Sequence, residues 1–264
     1  MTEKNKIAVC VVGDTKFLFK YLASFINSIR TTGKYSGDII VITNYFFPSL
    51  FFKLLFVKNN KNIIFLKFPR IKFSKNADKT YKNLDTRGQP NRYVTKNFQW
   101  HKIHIFDMKL KNWDFIFYID INMKIHSDIN NIFKILPRNK LFARSDNYPN
   151  NENSLSSQFD DTSKIYKELL SSFDLTINNY FQTGILFFDT ILIKINTKKE
   201  IINLANKFPI SLTNEQGIMN LYFKFIYDYH DELPYDIDGK ISYFYWKITG
   251  KDIIITKQNV EQYK

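Results

Sequence analysis

The chain has 264 residues, of which 44% are hydrophobic and 17% aromatic, and this composition excludes an intrinsically disordered protein. The net charge of +13 at pH 7 attracts phosphate groups, but the lysines are scattered and no recognised nucleic-acid-binding motif is visible, so we expect no nucleic-acid partner. The single cysteine, Cys10, excludes a disulfide framework and a cysteine-based zinc site, and it favours a reducing, cytoplasmic setting.

Strands and helices alternate in the first part of the chain. Apolar residues from Phe17 to Ile29 recur at helical spacing, and Gly33 supplies a stop for that helix. Alternation of this kind predicts a parallel sheet with helices on its faces. Short, nearly all-apolar runs predict its first buried strands at residues 7–12, 39–43 and 63–66.

Two segments of the first half have no clear place in that sheet. Residues 45–57 are apolar, with Lys53 as their only charge. They predict either peripheral contact with a membrane interface or a core-facing loop and short helix. Residues 70–94 are polar and carry Gly88 and Pro90, so we expect a long loop there.

A helix at about residues 95–110 leads to the strand at residues 115–119, in which every residue is apolar. Both faces of such a strand are expected to be covered, which makes it central. Asp120 follows it directly, and ligands of open α/β sheets gather beyond the carboxyl ends of the strands. The sequence therefore predicts a binding site at Asp120.

The second half continues with shorter elements, and we expect one domain over residues 1–264, with a core at 1–225 and an irregular extension at 226–264. The polar, irregular segment at residues 147–163 is a candidate lid or acceptor loop. Predicted helices lie at residues 128–135, 199–208 and 214–225, and predicted strands at 141–143 and 184–188.

Four stretches carry chemically specific residues in a fixed order: Lys102 on the helix before the central strand, Tyr118-Ile119-Asp120-Ile121-Asn122 followed by Asp128-Ile129, Gln182-Thr183-Gly184, and Glu215-Gln216-Gly217-Ile218-Met219-Asn220. Across residues 7–225 they resemble the retaining glycosyltransferases of family 8, the group that includes glycogenin and bacterial lipopolysaccharide galactosyltransferases. In that family the last three read Tyr-Leu-Asp-Ala-Asp, Asn-Ser-Gly and Asp-Gln-Gly-Ile-Leu-Asn.

The resemblance implies a GT-A-type, Rossmann-like α/β fold with a mostly parallel central sheet flanked by helices. It also implies transfer of a sugar, with retention of configuration, from a nucleotide-sugar donor such as a UDP-sugar to a glycan or lipid-linked acceptor. The alternative is a catalytically weak or inactive binding protein with the same fold.

A divalent cation is implied at Asp120 and Asn122, with Ile121 between them. Mg²⁺ and Mn²⁺ prefer such oxygen ligands, and a cation there neutralises the departing diphosphate. Asn122 replaces the family's second aspartate, and the C-terminal histidine of the family's metal site is missing. The cation is therefore expected to bind weakly. The chain's histidines, expected to be partly exposed and not ligands, are His101, His104, His126 and His230.

Several further donor contacts are implied by the resemblance. Lys102 matches a lysine that reaches the donor sugar or phosphate, with a solvated helix lysine as the alternative. Asp146 matches an aspartate at the donor sugar, with an ordinary loop residue as the alternative. Gln182, Thr183 and Gly184 are expected to form a reshaped sugar pocket.

The nucleotide base is expected beside the first strand. Gly13, Asp14 and Thr15 lie where the family holds the base, and Phe17 stands in the place of a tyrosine that stacks on uracil. Phe17 is alternatively the first core residue of its helix.

Gln216 and Glu215 are the candidate catalytic residues, together with Lys102. The matching polar residue of the family lies near the anomeric carbon, where positive charge develops in the transition state. Two alternatives concern only the helix start: Gln216 closes a capping box with Thr213, and Glu215 favours the helix dipole.

Overall fold

The computed structural model describes residues 5–44, 62–84, 97–146, 153–244 and 252–257. The expected membrane-interface segment at residues 45–57 lies outside the described residues, as does the first part of the candidate lid loop. Within the described ranges, no helix combines the length and apolar character needed to cross a bilayer.

A seven-stranded sheet forms the centre of the fold. All five residues of its middle strand, 115–119, are buried, as predicted. One strand, 181–189, runs antiparallel to both its neighbours, so the sheet is mostly parallel, as expected. In spatial order the strands are β3 (Ile63–Lys67), β2 (Asp38–Thr43), β1 (Ile7–Val12), β4 (Phe115–Ile119), β7 (Phe181–Asp189), β6 (Leu141–Ser145) and β8 (His230–Glu232).

Helices cover both faces of this sheet because successive strand residues point to opposite sides. Val9 and Val11 pack in one buried cluster with helix α1 (Thr15–Thr31), whereas Ala8 and Cys10 belong to the cluster on the other face. That second cluster includes side chains of α2 (Lys75–Asn83), α3 (Lys164–Ser172), α4 (Thr197–Lys207), α5 (Glu215–Asn220) and the 3₁₀ helix Asn97–Phe106.

Helix α2 lies inside the segment that was predicted to be a long loop, so that prediction is wrong. Ser74 caps the helix by accepting a hydrogen bond from the backbone N–H of Ala77 at 3.2 Å. Ala77 and Tyr81 form its buried stripe, and Leu84 follows at the end. This narrow apolar stripe is enough to hold the helix in place because α2 packs against α4.

The described part of the expected irregular extension, residues 226–244 and 252–257, contains four strands. One is β8, which joins the main sheet by pairing with β6. The others, β9 (Asp236–Ile237), β10 (Lys240–Phe244) and β11 (Ile253–Lys257), form a second sheet with β5 (Met123–Ile125). Since β5 follows Asp120 and Asn122 almost at once, the C-terminal part of the chain packs against the candidate site.

Candidate active site

The candidate site lies where β4 ends and β7 begins. The two strands are antiparallel, with Ile119 opposite Ile185, so the end of one meets the start of the other. The backbone N–H of Asp120 donates to the carbonyl of Gly184 at 2.8 Å. This pairing brings Gln182, Thr183 and Gly184 to Asp120, as the family resemblance implied.

Lys102 is the buried centre of the site. Its residue is only 6% exposed, so the interpretation as a solvated helix lysine is wrong. The ammonium Nζ lies 3.2 Å from Oδ1 of Asp120 and 2.9 Å from Oε1 of Glu215. It also donates to the carbonyl and hydroxyl oxygens of Thr183, at 3.2 and 3.3 Å. One ammonium therefore joins residues from the 3₁₀ helix, β4, β7 and α5.

Electrostatics keep this lysine charged. Burial lowers the pKa of Lys102, but the carboxylates of Asp120 and Glu215 outweigh burial and raise the pKa above its usual value. Tyr118, on β4, donates its hydroxyl proton to Oδ1 of Asp120 at 2.5 Å, and burial together with Asp120 raises the pKa of Tyr118. Both groups therefore stay protonated at neutral pH and keep their contacts with Oδ1 of Asp120.

Glu215 begins helix α5 deep inside the protein, where the residue is 1% exposed. Its Oε1 accepts from the hydroxyl of Thr183 at 2.9 Å as well as from Lys102. Asn214 precedes it with φ +57°, a backbone conformation that favours glycine. The side chain of Asn214 donates to Gln99 at 2.5 Å, which holds the strained residue in place.

Gln216 lies beside this cluster, with its amide held on both sides. Nε2 donates to Oδ2 of Asp146 at 3.1 Å and to Oε1 of Gln158 at 3.0 Å, while Oε1 accepts from the backbone N–H of Thr183 at 3.3 Å. A carboxylate only accepts, so Asp146 determines which end of the amide is the nitrogen. Asp146 is therefore more than an ordinary loop residue, because its carboxylate orients Gln216.

The capping-box interpretation of Gln216 is wrong. Helix α5 starts one residue later than that motif requires, with Asn214 at the N-cap and no side-chain cap hydrogen bond. The side chain of Gln216 turns instead toward Thr183, Asp146 and Gln158. Its carbonyl oxygen is therefore positioned by groups outside its own helix.

The remaining pocket residues come from the start of β7. Gln182 is buried and accepts a hydrogen bond from the hydroxyl of Tyr243 at 3.2 Å. A Cβ atom added to Gly184 would lie 3.0 Å from Cε of Met123 and 3.7 Å from Oδ2 of Asp120. A side chain at Gly184 would therefore press against Met123, so glycine lets β7 pass close to the Asp120 turn.

Asp120, Ile121 and Asn122 form a tight turn, in which the N–H of Met123 donates to the carbonyl of Asp120 at 2.9 Å. Ile121 is buried, while the side chain of Asn122 is partly exposed. Asp120 and Asn122 offer the oxygen donors that Mg²⁺ and Mn²⁺ prefer, and such ions often use one or two protein ligands plus substrate phosphates. Among the described residues, no group of three or more His, Cys, Asp or Glu side chains is arranged to hold a metal ion.

The expected base-binding residues lie at the end of β1, the neighbour of β4, and so at the same edge of the sheet. Asp14 caps α1 by accepting from the N–H of Phe17 at 2.8 Å. Phe17 itself is 44% exposed, so its interpretation as a core residue is wrong. Gly13 and Thr15 flank this cap, and the Thr15 hydroxyl has no hydrogen-bond partner within the described structure.

No protein-family model and no curated protein sequence matches the chain significantly. Solved structures do match. The glycosyltransferase GlyE of Streptococcus pneumoniae TIGR4 superposes with a TM-score of 0.51 at 16% identity, over 87% of this chain and 45% of GlyE. The galactosyltransferase LgtC, solved with donor and acceptor sugar analogues, gives 0.56 at 12% identity, over 82% of this chain and 70% of LgtC.

The bifunctional glycosyltransferase WbbM gives a TM-score of 0.53 at 17% identity, over 92% of this chain and 40% of WbbM. The chain thus spans less than half the length of GlyE and of WbbM. It has the GT-A fold. That assignment confirms the expected α/β class, and at these identities the likeness concerns the fold alone.

Within this GT-A fold, two buried histidines correct a further expectation. His101 and His104 are buried, where partly exposed side chains were expected. Each stacks on a phenylalanine, with centroid distances of 4.3 Å to Phe98 and 4.5 Å to Phe68. His126, which is exposed as expected, lies 2.7 Å from the hydroxyl of Thr256 on β11.

Three residues of the candidate site were missed by the sequence interpretation. Gln158 reaches Gln216 from the 3₁₀ helix Leu155–Gln158, Tyr118 donates to Asp120, and Tyr243 reaches Gln182 from the second sheet. A signal existed for Tyr118, since it stands two residues before Asp120 in the same motif. Gln158 and Tyr243 lie in segments with no clear period, so nothing in the pattern pointed to them.

Proposed function

We propose that the protein is a glycosyltransferase that moves a sugar from a nucleotide-sugar donor, a UDP-sugar, to a glycan or lipid-linked acceptor with retention of configuration. One observation supports this proposal above all. Asp120, Lys102, Glu215 and Gln216 come from three separate elements, the turn after β4, the 3₁₀ helix Asn97–Phe106 and helix α5, and they lie together at the carboxyl end of the central strand of a GT-A fold. Ligands of open α/β sheets gather at that edge.

The donor diphosphate is proposed to lie beyond Asp120, beside its partly exposed carboxylate. Lys102 supplies a buried positive charge on this side, where negative charge grows as the nucleotide leaves. A divalent cation held by Asp120 and Asn122 would supply further neutralisation of that charge when bound. The ammonium and the turn backbone therefore orient the leaving group.

The sugar is proposed to lie between this end and Gln216. The transition state of glycosyl transfer carries positive charge at the anomeric carbon. The carbonyl oxygen of Gln216 is an electron-rich group for that charge, and Asp146 and Gln158 keep its amide nitrogen turned away. Thr183 and Gln182 complete the walls of the sugar pocket.

Calorimetric titration with UDP and Mn²⁺ tests the donor site. Wild type is expected to bind, Asp120→Ala to lose binding, and Asp161→Ala, which removes an exposed carboxylate, to bind like wild type. If Asp120→Ala binds as well as wild type, the site is wrongly assigned.

Donor hydrolysis separates a transferase from a binding protein of the same fold. A panel of uridine, guanosine and thymidine sugar nucleotides is offered, and slow release of free sugar is measured for wild type and Gln216→Ala. Release that depends on Gln216 supports the transferase. Binding without turnover of any donor would favour the inactive binding protein.

A further inference from the structure

The charges around Asp120 are unusual for a site that takes up a cation on its own. Lys102 contributes one ammonium to two carboxylates, those of Asp120 and Glu215, so the cluster carries a net charge of −1. Oδ1 of Asp120 already accepts a hydrogen bond from the hydroxyl of Tyr118 and forms an ion pair with Lys102. The ammonium thus occupies one oxygen of the carboxylate expected to bind a metal.

Lys102 has no alternative position in solvent. Its side chain is 8% exposed, and four acceptor oxygens surround its three N–H groups, from Asp120, Glu215 and Thr183. Moving the buried ammonium away from these partners costs free energy, because it leaves a buried carboxylate without its cation. The positive charge therefore remains beside Asp120 when a second cation approaches.

Asn122 adds to this effect. An amide oxygen offers a dipole, not a charge, so Asp120 is the one carboxylate of the turn. A divalent cation arriving alone meets one carboxylate already paired with an ammonium. A cation arriving with a diphosphate brings its own negative charge, which balances both positive groups.

We propose that Lys102 is the resident counter-ion of Asp120 and that a divalent cation enters the site only together with the donor diphosphate. The cation is then a part of the incoming nucleotide complex and not of the resting protein. The part of this inference that concerns the nucleotide rests on the proposed function. The part that concerns Lys102 and free cations depends only on the contacts of Lys102 with Asp120, Glu215 and Thr183.

Electron paramagnetic resonance of free Mn²⁺ tests the proposal without any activity assay. Without nucleotide, wild type is expected to leave the signal of free Mn²⁺ unchanged. With UDP, wild type is expected to reduce that signal more than UDP does in the absence of protein. The double variant Lys102→Met, Glu215→Gln removes the ammonium and one carboxylate, so the net charge of the cluster stays the same. Its affinity for Mn²⁺ without nucleotide is expected to rise about tenfold or more.

The double variant is used because Lys102→Met alone leaves the buried carboxylate of Glu215 and the partly buried carboxylate of Asp120 without their cation. Lys134→Met, which removes an exposed lysine paired with Asp238, is the matched control and is expected to behave as wild type. Asn122→Asp adds a carboxylate and serves as the positive control for tighter binding. Circular dichroism verifies that each variant is folded.

Two results would overturn the proposal: wild type that binds Mn²⁺ equally well with and without UDP, or a folded double variant whose nucleotide-free Mn²⁺ affinity equals that of wild type. A failure of the proposed function has a different signature. UDP then fails to bind under any condition, while the comparison of wild type and double variant in Mn²⁺ alone still decides the role of Lys102.

Discussion

The amide of Gln216 is oriented by two acceptors, Asp146 and Gln158, and each can be removed separately. We expect Gln158→Leu to lower kcat by about tenfold while UDP affinity stays unchanged, because the variant removes one of the two acceptors that hold the amide nitrogen and does not touch the diphosphate end. Sugar-release kinetics at saturating donor measure this.

Gln158→Glu is the matched variant, since a carboxylate still accepts from Nε2 of Gln216. The amide of Gln158 donates to the hydroxyl oxygen of Tyr180, and in the variant that hydroxyl can turn to donate to the carboxylate instead. It is expected to retain more of the wild-type kcat than Gln158→Leu. Equal losses in the two variants would mean that the hydrogen bond to Gln216 has no role in orienting it.

Burial makes Lys102 a structural residue as well as a candidate catalytic one. Lys102→Met leaves Asp120 and Glu215 without their cation, and we expect a loss of about 3 to 5 kcal/mol in the free energy of unfolding. Adding Glu215→Gln is expected to recover part of the lost free energy of unfolding. Urea denaturation of wild type and both variants measures the differences, and no recovery in the double variant would contradict the ion-pair explanation.

Some of these residues could be identified from the sequence, and others could not. Asp120 could be placed because it directly follows a buried apolar strand, and Lys102 because it matches a lysine of the resembling family on the element before that strand. Gln158 could not be placed, since its contact with Gln216 joins residues 58 positions apart and the segment around Gln158 has no clear period. Contacts set by tertiary packing leave no local trace.

At the scale of elements, one side chain joins α5 to β7. Asn220 donates to the carbonyl of Phe181 at 2.9 Å and accepts from its N–H at 2.8 Å, all within the buried interior. The side chain of Asn220 therefore pairs with the backbone N–H and C=O of Phe181 as a neighbouring strand would. The start of the strand, with Gln182 and Thr183, is held against the helix that carries Gln216.

Asn220→Leu is expected to lower the free energy of unfolding by about 2 to 4 kcal/mol, because it leaves a buried N–H and a buried C=O of Phe181 unpaired. Urea denaturation gives the value. Asn27→Leu, on the exposed side of α1, is the control and is expected to change stability by less than about 0.5 kcal/mol. A similar small effect at Asn220 would mean that these two groups find other partners.

Elements with strong apolar periods were predicted well, whereas those stabilised by distant partners were not. Helix α2 was missed because its exposed residues are polar, although Ser74, Ala77 and Tyr81 carried a cap and an i, i+4 stripe. Strands β8 to β11 were missed because each has only two to five residues, and β8 and β11 also pair with distant parts of the chain. Such short strands depend on their neighbours for stability.

For the whole molecule, the buried His101 and His104 and the half-buried His230 predict a dependence of stability on pH. Burial lowers the pKa of His101 to about 4, of His104 to about 3 and of His230 to about 4. In the unfolded chain these side chains bind protons below about pH 6.5. The unfolded state therefore binds more protons between about pH 6.5 and 4, and stability falls as the pH is lowered through that window.

Thermal unfolding at pH 7, 6 and 5 tests this expectation. Each such histidine contributes up to about 1.4 kcal/mol per pH unit in this range. His104→Gln keeps a donor for the carbonyl of Pro69 but does not titrate, so its stability is expected to fall less steeply between pH 6 and 5. A variant with the wild-type slope would show that His104 is not a source of the pH dependence.

The pairing of β5 with β11 has a consequence for the order in which the protein is made. His126 and Thr256, joined across this pair, are 130 residues apart. During synthesis the chain emerges from its N-terminus, so the Asp120–Asn122 turn exists long before the strand that supports it. The central sheet can begin to form early, but the turn beside Asp120 gains its final support only after β11 has left the ribosome. Nascent chains that stop short of β11 are therefore expected to contain the motif without its finished geometry.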